Sequence, residues 1–205
     1  MDEAPDDNSP RIFENPLLEK LSRAHPRLPI IMYGPVAAVA LRFALRDLAA
    51  PTALGFVLVG YFLWTLLEYF GHRFIFHLEL PGALGARVHF LLHGVHHEYP
   101  NDPWRLVMPP LMSLPVLGGA VTILYWLFGA ALVAPVLCGF LVGYILYDTL
   151  HYETHHGAMR SRLGRRLKQR HMLHHFRDPT RGFGISCPWL DAVLGTAFAA
   201  IARRR

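Results

Sequence analysis

The chain alternates between long apolar runs and shorter polar segments. The apolar runs cover residues 29–50, 53–71, 107–128 and 130–150. Each is close to the roughly 20 residues that an α-helix needs to cross a bilayer. Only a short turn separates the first run from the second and the third from the fourth, so the pattern predicts two antiparallel helical hairpins. We therefore expect an all-α integral membrane protein with four transmembrane helices.

Polar residues fill the rest of the chain. Residues 1–28 form an acidic, proline-containing tail with a short amphipathic piece expected at 13–21, and they lack the basic and apolar regions of a secretory signal. Residues 29–205 then form the membrane-embedded domain, in which the polar segments 72–106 and 151–205 follow the two hairpins. A chain that crosses a bilayer twice returns to the side it left. Both segments should therefore lie on the same face as the N-terminus.

The positive charges indicate that this face is cytoplasmic. Of the 20 lysines and arginines, only Arg42 and Arg46 fall outside the tail and the two polar segments. Cytoplasmic loops carry an excess of Lys and Arg, so both termini are predicted to be cytoplasmic. Arg42 interrupts the first apolar run, and we expect its side chain either to extend to the interface or to pair with Asp47.

Composition agrees with a membrane protein. The hydrophobic share is 53%, the mean hydropathy is +0.27 and 17% of residues are charged, against about a quarter charged in soluble domains. The two cysteines lie far apart and form neither a disulfide framework nor a CxxC zinc pattern. The net charge is +5, and the basic stretch 160–170 has no stacking platform or nucleic-acid motif beside it. We therefore expect it to attract anionic lipid head groups rather than nucleic acid.

Histidines are concentrated in the two polar segments. Twelve of the 13 fall into four groups, and only His25 stands alone. The groups are His72 and His77; His89, His93, His96 and His97; His151, His155 and His156; His171, His174 and His175. The second and fourth contain HxxHH, a spacing that predicts three imidazoles on one face of a helix. His72 and His77 are five residues apart, so this pair must straddle a helix end or serve different metals.

Such a set of histidines indicates transition-metal binding, because neutral imidazole suits Fe, Zn, Cu and Ni. Their number exceeds what one six-coordinate ion can use, but it matches two ions, whereas a hydrolytic zinc needs only about three protein ligands. We therefore expect a histidine-ligated dimetal centre that does redox work on a lipid chain, held in a cytoplasmic helical cap. Asp148 precedes His151 by one turn, so it either accepts a hydrogen bond from an imidazole N–H or simply ends the helix.

The order of these motifs resembles the integral-membrane fatty acid hydroxylase and sterol desaturase superfamily. HxxxxH, HxxHH, HxxxH and HxxHH follow paired apolar runs, and residues 89–110, HFLLHGVHHEYPNDPWRLVMPP, resemble the signature HGxHHxxPxDxxRLVxPP of the fatty acid 2-hydroxylases. Residues 147–157, residues 171–186 and the closing WLDAVLGT resemble later motifs of the same family. The resemblance covers residues 53–196.

The resemblance implies a di-iron monooxygenase that inserts one oxygen atom from O2 at C2 of a fatty acyl chain, either free or in a sphingolipid. Zinc is expected to be able to replace iron in purified protein. The metal ligands that the resemblance implies are His72, His77, His93, His96, His97, His151, His155, His171, His174 and His175. It leaves His89, His156, Tyr147, Asp148 and Arg105 as groups beside the metals or the substrate.

Eukaryotic members of this family commonly carry an N-terminal cytochrome b5 domain, which residues 1–28 do not resemble. The implied electron donor is therefore a separate cytochrome b5 or ferredoxin-type protein, and the implied location is a bacterial inner membrane rather than the endoplasmic reticulum. Two alternatives stay open. One is another oxidation within the superfamily, such as hydroxylation or desaturation of a sterol or carotenoid. The other is a non-redox zinc protein of the membrane.

Overall fold

The computed structural model describes residues 9–199, and it is all-helical over that range. Three long helices and five short ones follow one another along the chain, with two π-helical turns between them. The helices are α1 (Pro16–Leu21), α2 (Leu28–Asp47), α3 (Ala50–Gly71), α4 (Gly82–His89), α5 (Val95–Glu98), α6 (Pro110–His156), α7 (Arg162–Phe176) and α8 (Pro188–Val193). The π-helical turns are His72–Phe76, directly after α3, and Phe90–Gly94, between α4 and α5.

Three helical stretches are long and apolar enough to cross a membrane, namely Leu28–Asp47, Ala50–Phe76 and Pro110–His156. Many large apolar side chains on them face outward, and Trp126 is 82% exposed. A contiguous exposed apolar surface of this kind is typical of contact with lipid. The expectation of an all-α membrane protein is therefore confirmed.

Helix α6 consists of two helical halves. Gly129 lies between residues 110–128 and 130–156 with φ 67° and ψ 176°, a conformation that glycine adopts without a steric penalty from a Cβ atom. The hydroxyl of Tyr33 lies 2.9 Å from Ser113 Oγ, and its ring centroid lies 5.2 Å from that of Tyr144. On a straight helix Ser113 and Tyr144 would lie more than about 40 Å apart. The two halves therefore fold back on each other as an antiparallel pair.

Close packing joins α3 to the second half of α6. A Cβ atom added to Gly139 would lie 1.8 Å from Val57 O, and one added to Gly60 would lie 1.9 Å from Val136 O. Small residues allow membrane helices to approach this closely. Next to these glycines, the Trp64 ring packs against other aromatic rings of the core. The arrangement holds the histidine-bearing ends of α3 and α6 next to each other.

Several element ends differ from the hydropathy boundaries. The third run was expected from 107, but α6 begins at Pro110, because Pro109 is extended and proline favours the first helical position. The fourth run was expected to end at 150, yet the helix continues to His156. Asp47, which the sequence offered as a partner for Arg42, pairs with the neighbouring Arg46 at 2.7 Å, and the Arg42 side chain is exposed.

The N-terminal segment packs on the polar segment that follows α3. Ala24 N donates a hydrogen bond to Trp104 O at 2.9 Å, and the guanidinium of Arg105 lies 2.7 Å from Glu19 Oε1. The Arg105 side chain is only 2% exposed. The part of the polar tail that the structure describes is thus bound to the rest of the chain, and α1 lies within the expected amphipathic piece. Residues 1–8 of that tail and 200–205 of the last polar segment lie outside the described residues.

Candidate metal centre

The structure brings all ten histidines with ligand spacing into two groups of five, and within each group the candidate ligand atoms lie within 4.8 Å of one another. Group one contains His72, His77, His93, His97 and His174. Group two contains His96, His151, His155, His171 and His175. Each member is buried or half-buried. Because no carboxylate belongs to either group, each offers an all-nitrogen site.

Each half of the chain contributes to both groups. The segment from 72 to 97 supplies four histidines to group one and sends His96 to group two. The segment from 151 to 175 supplies four to group two and sends His174 to group one. Histidines four apart, such as His171 and His175, stay in the same group, whereas the residue at position three crosses over. The three imidazoles of each HxxHH, expected on one face of a helix, are therefore divided between the two groups.

The first π-helical turn explains the pair that is five residues apart. His77 N donates to His72 O at 3.3 Å, which is the i to i+5 bond of a π-helix. His77 lies just past the end of that turn, and the two Nε2 atoms are 3.3 Å apart. Of the two alternatives for this pair, the structure shows the one in which it straddles a helix end, with both rings in group one.

The distances between ring nitrogens fit metal coordination. In group one, His72 Nε2 lies 3.1 Å from His93 Nε2, and in group two the closest such pair, His155 and His171, is 2.8 Å apart. Two imidazole nitrogens, each about 2.1 Å from a shared ion and adjacent around it, lie about 3 Å from one another. His97 also fits the role of a metal ligand, because its buried Nε2 has no hydrogen-bond partner among the described residues.

Burial keeps these imidazoles neutral. Removal from water, followed by the charges of neighbouring imidazoles, lowers the pKa of His77 and of His97 to about 3. Burial also lowers the pKa of His174 to about 4, although a backbone hydrogen bond opposes it. At neutral pH the rings therefore carry a free lone pair, which is the form that binds metal.

The outer nitrogens of two group-one rings are fixed by backbone carbonyls. His72 Nδ1 donates to Phe183 O and His174 Nδ1 donates to Arg181 O, both at 2.7 Å. A carbonyl on Nδ1 fixes the tautomer and leaves Nε2 free to act as a ligand. The buried Nδ1 atoms of His96, His171 and His175, all in group two, have no hydrogen-bond partner within residues 9–199. The two groups are thus supported differently.

The other two histidines of the four sequence groups lie outside both clusters. The ring centroid of His89 is 6.5 Å from that of His77, at the margin of group one, and its Nδ1 is buried without a partner. His156 is exposed and stacks on Tyr152 at 4.8 Å. His25 packs edge-on against Trp104 at 5.6 Å, in the N-terminal region.

A largely apolar cavity of about 190 Å³ adjoins the two groups. Its polar lining includes His93 from group one, His96 and His151 from group two, and also Asp148 and Arg105. Leucine, valine, methionine, proline and phenylalanine side chains supply most of the remaining wall. The cavity therefore places an apolar molecule against histidines of both groups.

Tyr147 and Asp148, two of the groups that the resemblance implied beside the metals or the substrate, line this cavity. The ring of Tyr147 is buried, with its centroid 5.9 Å from that of His151. Asp148 accepts a hydrogen bond from Met108 N at 3.2 Å. Among the residues that the structure describes, no imidazole donates to Asp148, and the helix continues past it to His156.

A second cavity of about 80 Å³ adjoins the first and shares part of its lining. Its wall is formed by α3, the first π-helical turn and the start of α6, and it reaches His72. Phe76, Met108 and Tyr147 line both cavities. These three side chains therefore lie between two neighbouring, largely apolar spaces.

Three carboxylates near the site went unnoticed in the sequence. Glu19 holds Arg105, whereas Glu68 and Asp191 accept hydrogen bonds from the loop after α7. Glu68 precedes His72 by one helical turn, and Asp191 lies in the closing WLDAVLGT motif. These two positions in the sequence could have indicated a role near the site. Neither carboxylate is spaced from the histidines as a metal ligand would be, so neither was predicted.

Two groups of buried imidazoles at the ends of apolar helices define an integral membrane protein with a candidate dinuclear metal centre. The model of the fatty acid hydroxylase family matches residues 57–196. The chain belongs to this family, which confirms the resemblance seen in the motifs.

Several relatives are lipid hydroxylases. The chain is 38% identical to a dihydroceramide fatty acyl 2-hydroxylase, FAH2, of Arabidopsis thaliana over 188 residues, which are 91% of this chain and 79% of the relative. It is 35% identical to the ceramide very long chain fatty acid hydroxylase SCS7 of Saccharomyces cerevisiae over 90% of this chain, but it spans only 48% of that protein. A solved structure of full-length Scs7p, in which only the hydroxylase domain is visible, matches with a TM-score of 0.87 and 34% identity. That match covers 93% of this chain and 72% of the other.

Proposed function

We propose that this chain is a membrane-bound lipid hydroxylase that inserts one oxygen atom from O2 at C2 of a fatty acyl chain, free or in a sphingolipid. The observation that carries the proposal is the cavity of about 190 Å³ in which His93, His96 and His151 interrupt an apolar wall. An acyl chain in this cavity lies against histidines of both groups. The named activity of FAH2 supports attack at C2, and the names of FAH2 and SCS7 both support a fatty acyl chain of a ceramide-type lipid as the substrate class.

In this proposal groups one and two each hold one iron ion through their five imidazoles. The bound iron pair supplies the oxidising power that breaks an unactivated C–H bond, which no acid–base side chain can do. Zinc fits the same ligands and is expected to occupy them in some preparations. Two electrons from a separate cytochrome b5 or ferredoxin-type donor, together with two protons, reduce the other oxygen atom of O2 to water.

The chain's own residues orient the substrate. C2 is bonded to the acyl carbonyl, so the polar end of the lipid must lie at the same end of the cavity as the histidines. Ser22 and Arg105 provide polar wall there, and Asp148 and Tyr147 lie beside His151. The rest of the acyl chain extends past Phe76 and Met108 toward the second cavity. The apolar walls exclude water around the reacting carbon.

We also propose that α2, α3 and the two halves of α6 cross the membrane, which gives four spans. The lysines and arginines then concentrate on the side of the histidines, which places that side and both termini in the cytoplasm. A bacterial inner membrane is the proposed location. Attaching a reporter at Gly129, in the turn between the halves of α6, tests this topology, because the turn must face away from the cytoplasm.

Product analysis tests the reaction. The chain is expressed in a host that lacks 2-hydroxylated lipids, under ¹⁸O2, and the acyl chains are weighed and fragmented. We expect one labelled oxygen at C2, and no labelled product from a His96→Ala variant that accumulates to the same level. Loss of two hydrogens, or an oxidised sterol or carotenoid, would instead establish another reaction of the superfamily.

Metal analysis tests the centre separately. Protein produced with ample iron should contain two iron ions per chain, with a spectroscopic signature that changes on reduction. A single zinc ion per chain under the same conditions, together with unaltered host lipids, would replace this proposal with a non-redox zinc protein.

A further inference from the structure

One loop carries both carbonyls that fix group-one histidines. Residues 181–184 follow α7, and Arg181 O and Phe183 O accept the Nδ1 protons of His174 and His72. These two rings are almost completely buried. A shift of the loop would therefore turn or release two of the five candidate ligands of group one at once.

Asp191 in α8 holds this loop. Its Oδ1 accepts a hydrogen bond from Phe183 N and its Oδ2 one from Gly184 N, each at 2.9 Å. Thr196 Oγ1 donates to Asp191 Oδ1 at 2.7 Å, while Gly182 N donates to Thr196 O at 3.0 Å. The Asp191 residue is 2% exposed, so these bonds are sheltered from competition by water.

Glu68 ties the other end of the loop to α3. Its Oε1 accepts from Ile185 N at 2.8 Å and from Ser186 N at 2.7 Å, and its Oε2 accepts from Ser186 Oγ. Glu68 and His72 lie one turn apart on the same helix and both bind the loop. The loop position is thus set on one side by α3 and on the other by Asp191.

We propose that Asp191 is a positioning residue of group one, acting through the carbonyls of residues 181–183 on His72 and His174. The inference rests on the proposed two-ion centre. Among the described residues, no group-two ring has a hydrogen bond to this loop, and the buried Nδ1 atoms of His96, His171 and His175 have no partner. Weakening the loop should therefore weaken one ion and spare the other.

The test uses Asp191→Asn in the full chain, purified in detergent and loaded with Zn²⁺ as a redox-inert probe. The asparagine keeps the size of the side chain but directs an N–H donor at backbone N–H groups, so the loop loses at least one bond. Titration with a colour-forming chelator then measures how tightly each ion is held. We expect one ion to be held 10- to 100-fold more weakly, as is typical for loss of an outer partner, and the other to be unchanged. The control is Asp47→Asn, an exposed carboxylate at the far end of α2.

Combination with ligand variants identifies the weakened ion. In a His77→Ala background, which removes a group-one ligand, Asp191→Asn should add no effect. In a His155→Ala background, which damages group two, it should show its full effect. Equal weakening of both ions, or no weakening of either, would overturn the proposal. A wild-type chain that binds fewer than two Zn²⁺ ions would instead contradict the proposed function.

A milder pair of variants covers the case in which Asp191→Asn does not fold. Thr196→Ala removes the hydroxyl that donates to Asp191 and leaves the backbone bond to Gly182 in place. We expect a several-fold weakening confined to one ion, and we expect Thr196→Ser, which keeps the hydroxyl, to restore wild-type binding. Wild-type binding in Thr196→Ala would contradict a role for this network.

Discussion

The three imidazoles of one HxxHH motif do not all belong to the same group. On a helix with 3.6 residues per turn, positions i+3 and i+4 are separated by about 100° around the axis. The HxxHH motif therefore presents a wide face, which two neighbouring ions can share. His174 belongs to group one while His171 and His175 belong to group two. Adjacent histidines in the sequence can thus serve different ions.

Replacement of His97 by Ala tests whether this histidine is a metal ligand. Its Nε2 is buried without a hydrogen-bond partner, and its ring stacks on that of His175 at 4.2 Å, between the two groups. We expect loss of about one metal ion per chain and of hydroxylation. The matched control is His156→Ala, since His156 is exposed, and it should keep both metals. Elemental analysis and lipid mass spectrometry measure the two outcomes, and unchanged metal content in His97→Ala would contradict its assignment.

Glu19 makes a second prediction at the residue scale. Its carboxylate accepts from the Ile12 and Phe13 amides and pairs with Arg105, and together these bonds lower its pKa although burial acts to raise it. Ionised Glu19 therefore stabilises the folded chain fully at pH values above the pKa of Glu19 in the unfolded chain. This stabilisation is lost as the pH falls through the lower pKa that Glu19 has in the folded chain. Glu19→Gln removes the charge and leaves Arg105 with weaker partners, at a cost of about 1–3 kcal/mol.

The expected result of Glu19→Gln is faster hydrogen exchange in residues 12–24 at neutral pH, whereas the transmembrane helices stay protected. Glu14→Gln, an exposed carboxylate in the same segment, should leave exchange unchanged. Lowering the pH well below the ordinary pKa of a glutamate, about 4.3, should reproduce the effect in the wild-type chain. Equal protection in Glu19→Gln and wild type would show that the segment is held without this pair.

At the scale of elements, hydropathy and spacing predicted most of the architecture. The apolar runs located the long helices because a helix that crosses a bilayer needs about 20 predominantly apolar residues in a row. The π-helical turn after α3 was not predicted, because an i to i+5 bond depends on how His72 and His77 meet distant rings. The carboxylates Glu68 and Asp191 were also missed, since their partners are backbone amides, which leave no pattern in the sequence.

Helix contact gives a prediction at the same scale. A Cβ atom on Gly139 would overlap the Val57 carbonyl of α3, so Gly139→Ala must push α3 and α6 apart. Because these helices carry His72 and His151 at their ends, we expect lower thermal stability and weaker metal retention together. Gly118→Ala adds the same atom to α6 where nothing lies within 4 Å, and it should be neutral or slightly stabilising. Thermal unfolding in detergent, followed with metal analysis, checks both, and a fully stable Gly139→Ala would show that the helices can separate without cost.

At the scale of the whole molecule, the two halves of the chain exchange one histidine each. His96 leaves the first half for group two, and His174 leaves the second half for group one. No metal-binding group is therefore complete within one hairpin and its polar segment. Bound ions would crosslink the halves in a way that apolar packing in lipid does not, because helix association in a membrane lacks a strong hydrophobic drive.

Metal removal should therefore loosen the histidine-bearing end of the molecule without unfolding the helical bundle. Metal binding stabilises the folded state that carries the ligands, so a chelator is expected to lower the midpoint of thermal unfolding and to expose the 157–161 connection to protease. A cut there leaves α3 and α6 on one fragment, so their contact, which does not involve the histidines, should keep the helical bundle intact. Adding Zn²⁺ back should restore protection in the wild type but only part of it in His96→Ala, since that variant loses the exchanged ligand of group two. Protection that is the same with and without metal would mean that packing alone joins the halves and that the exchanged histidines serve chemistry rather than stability.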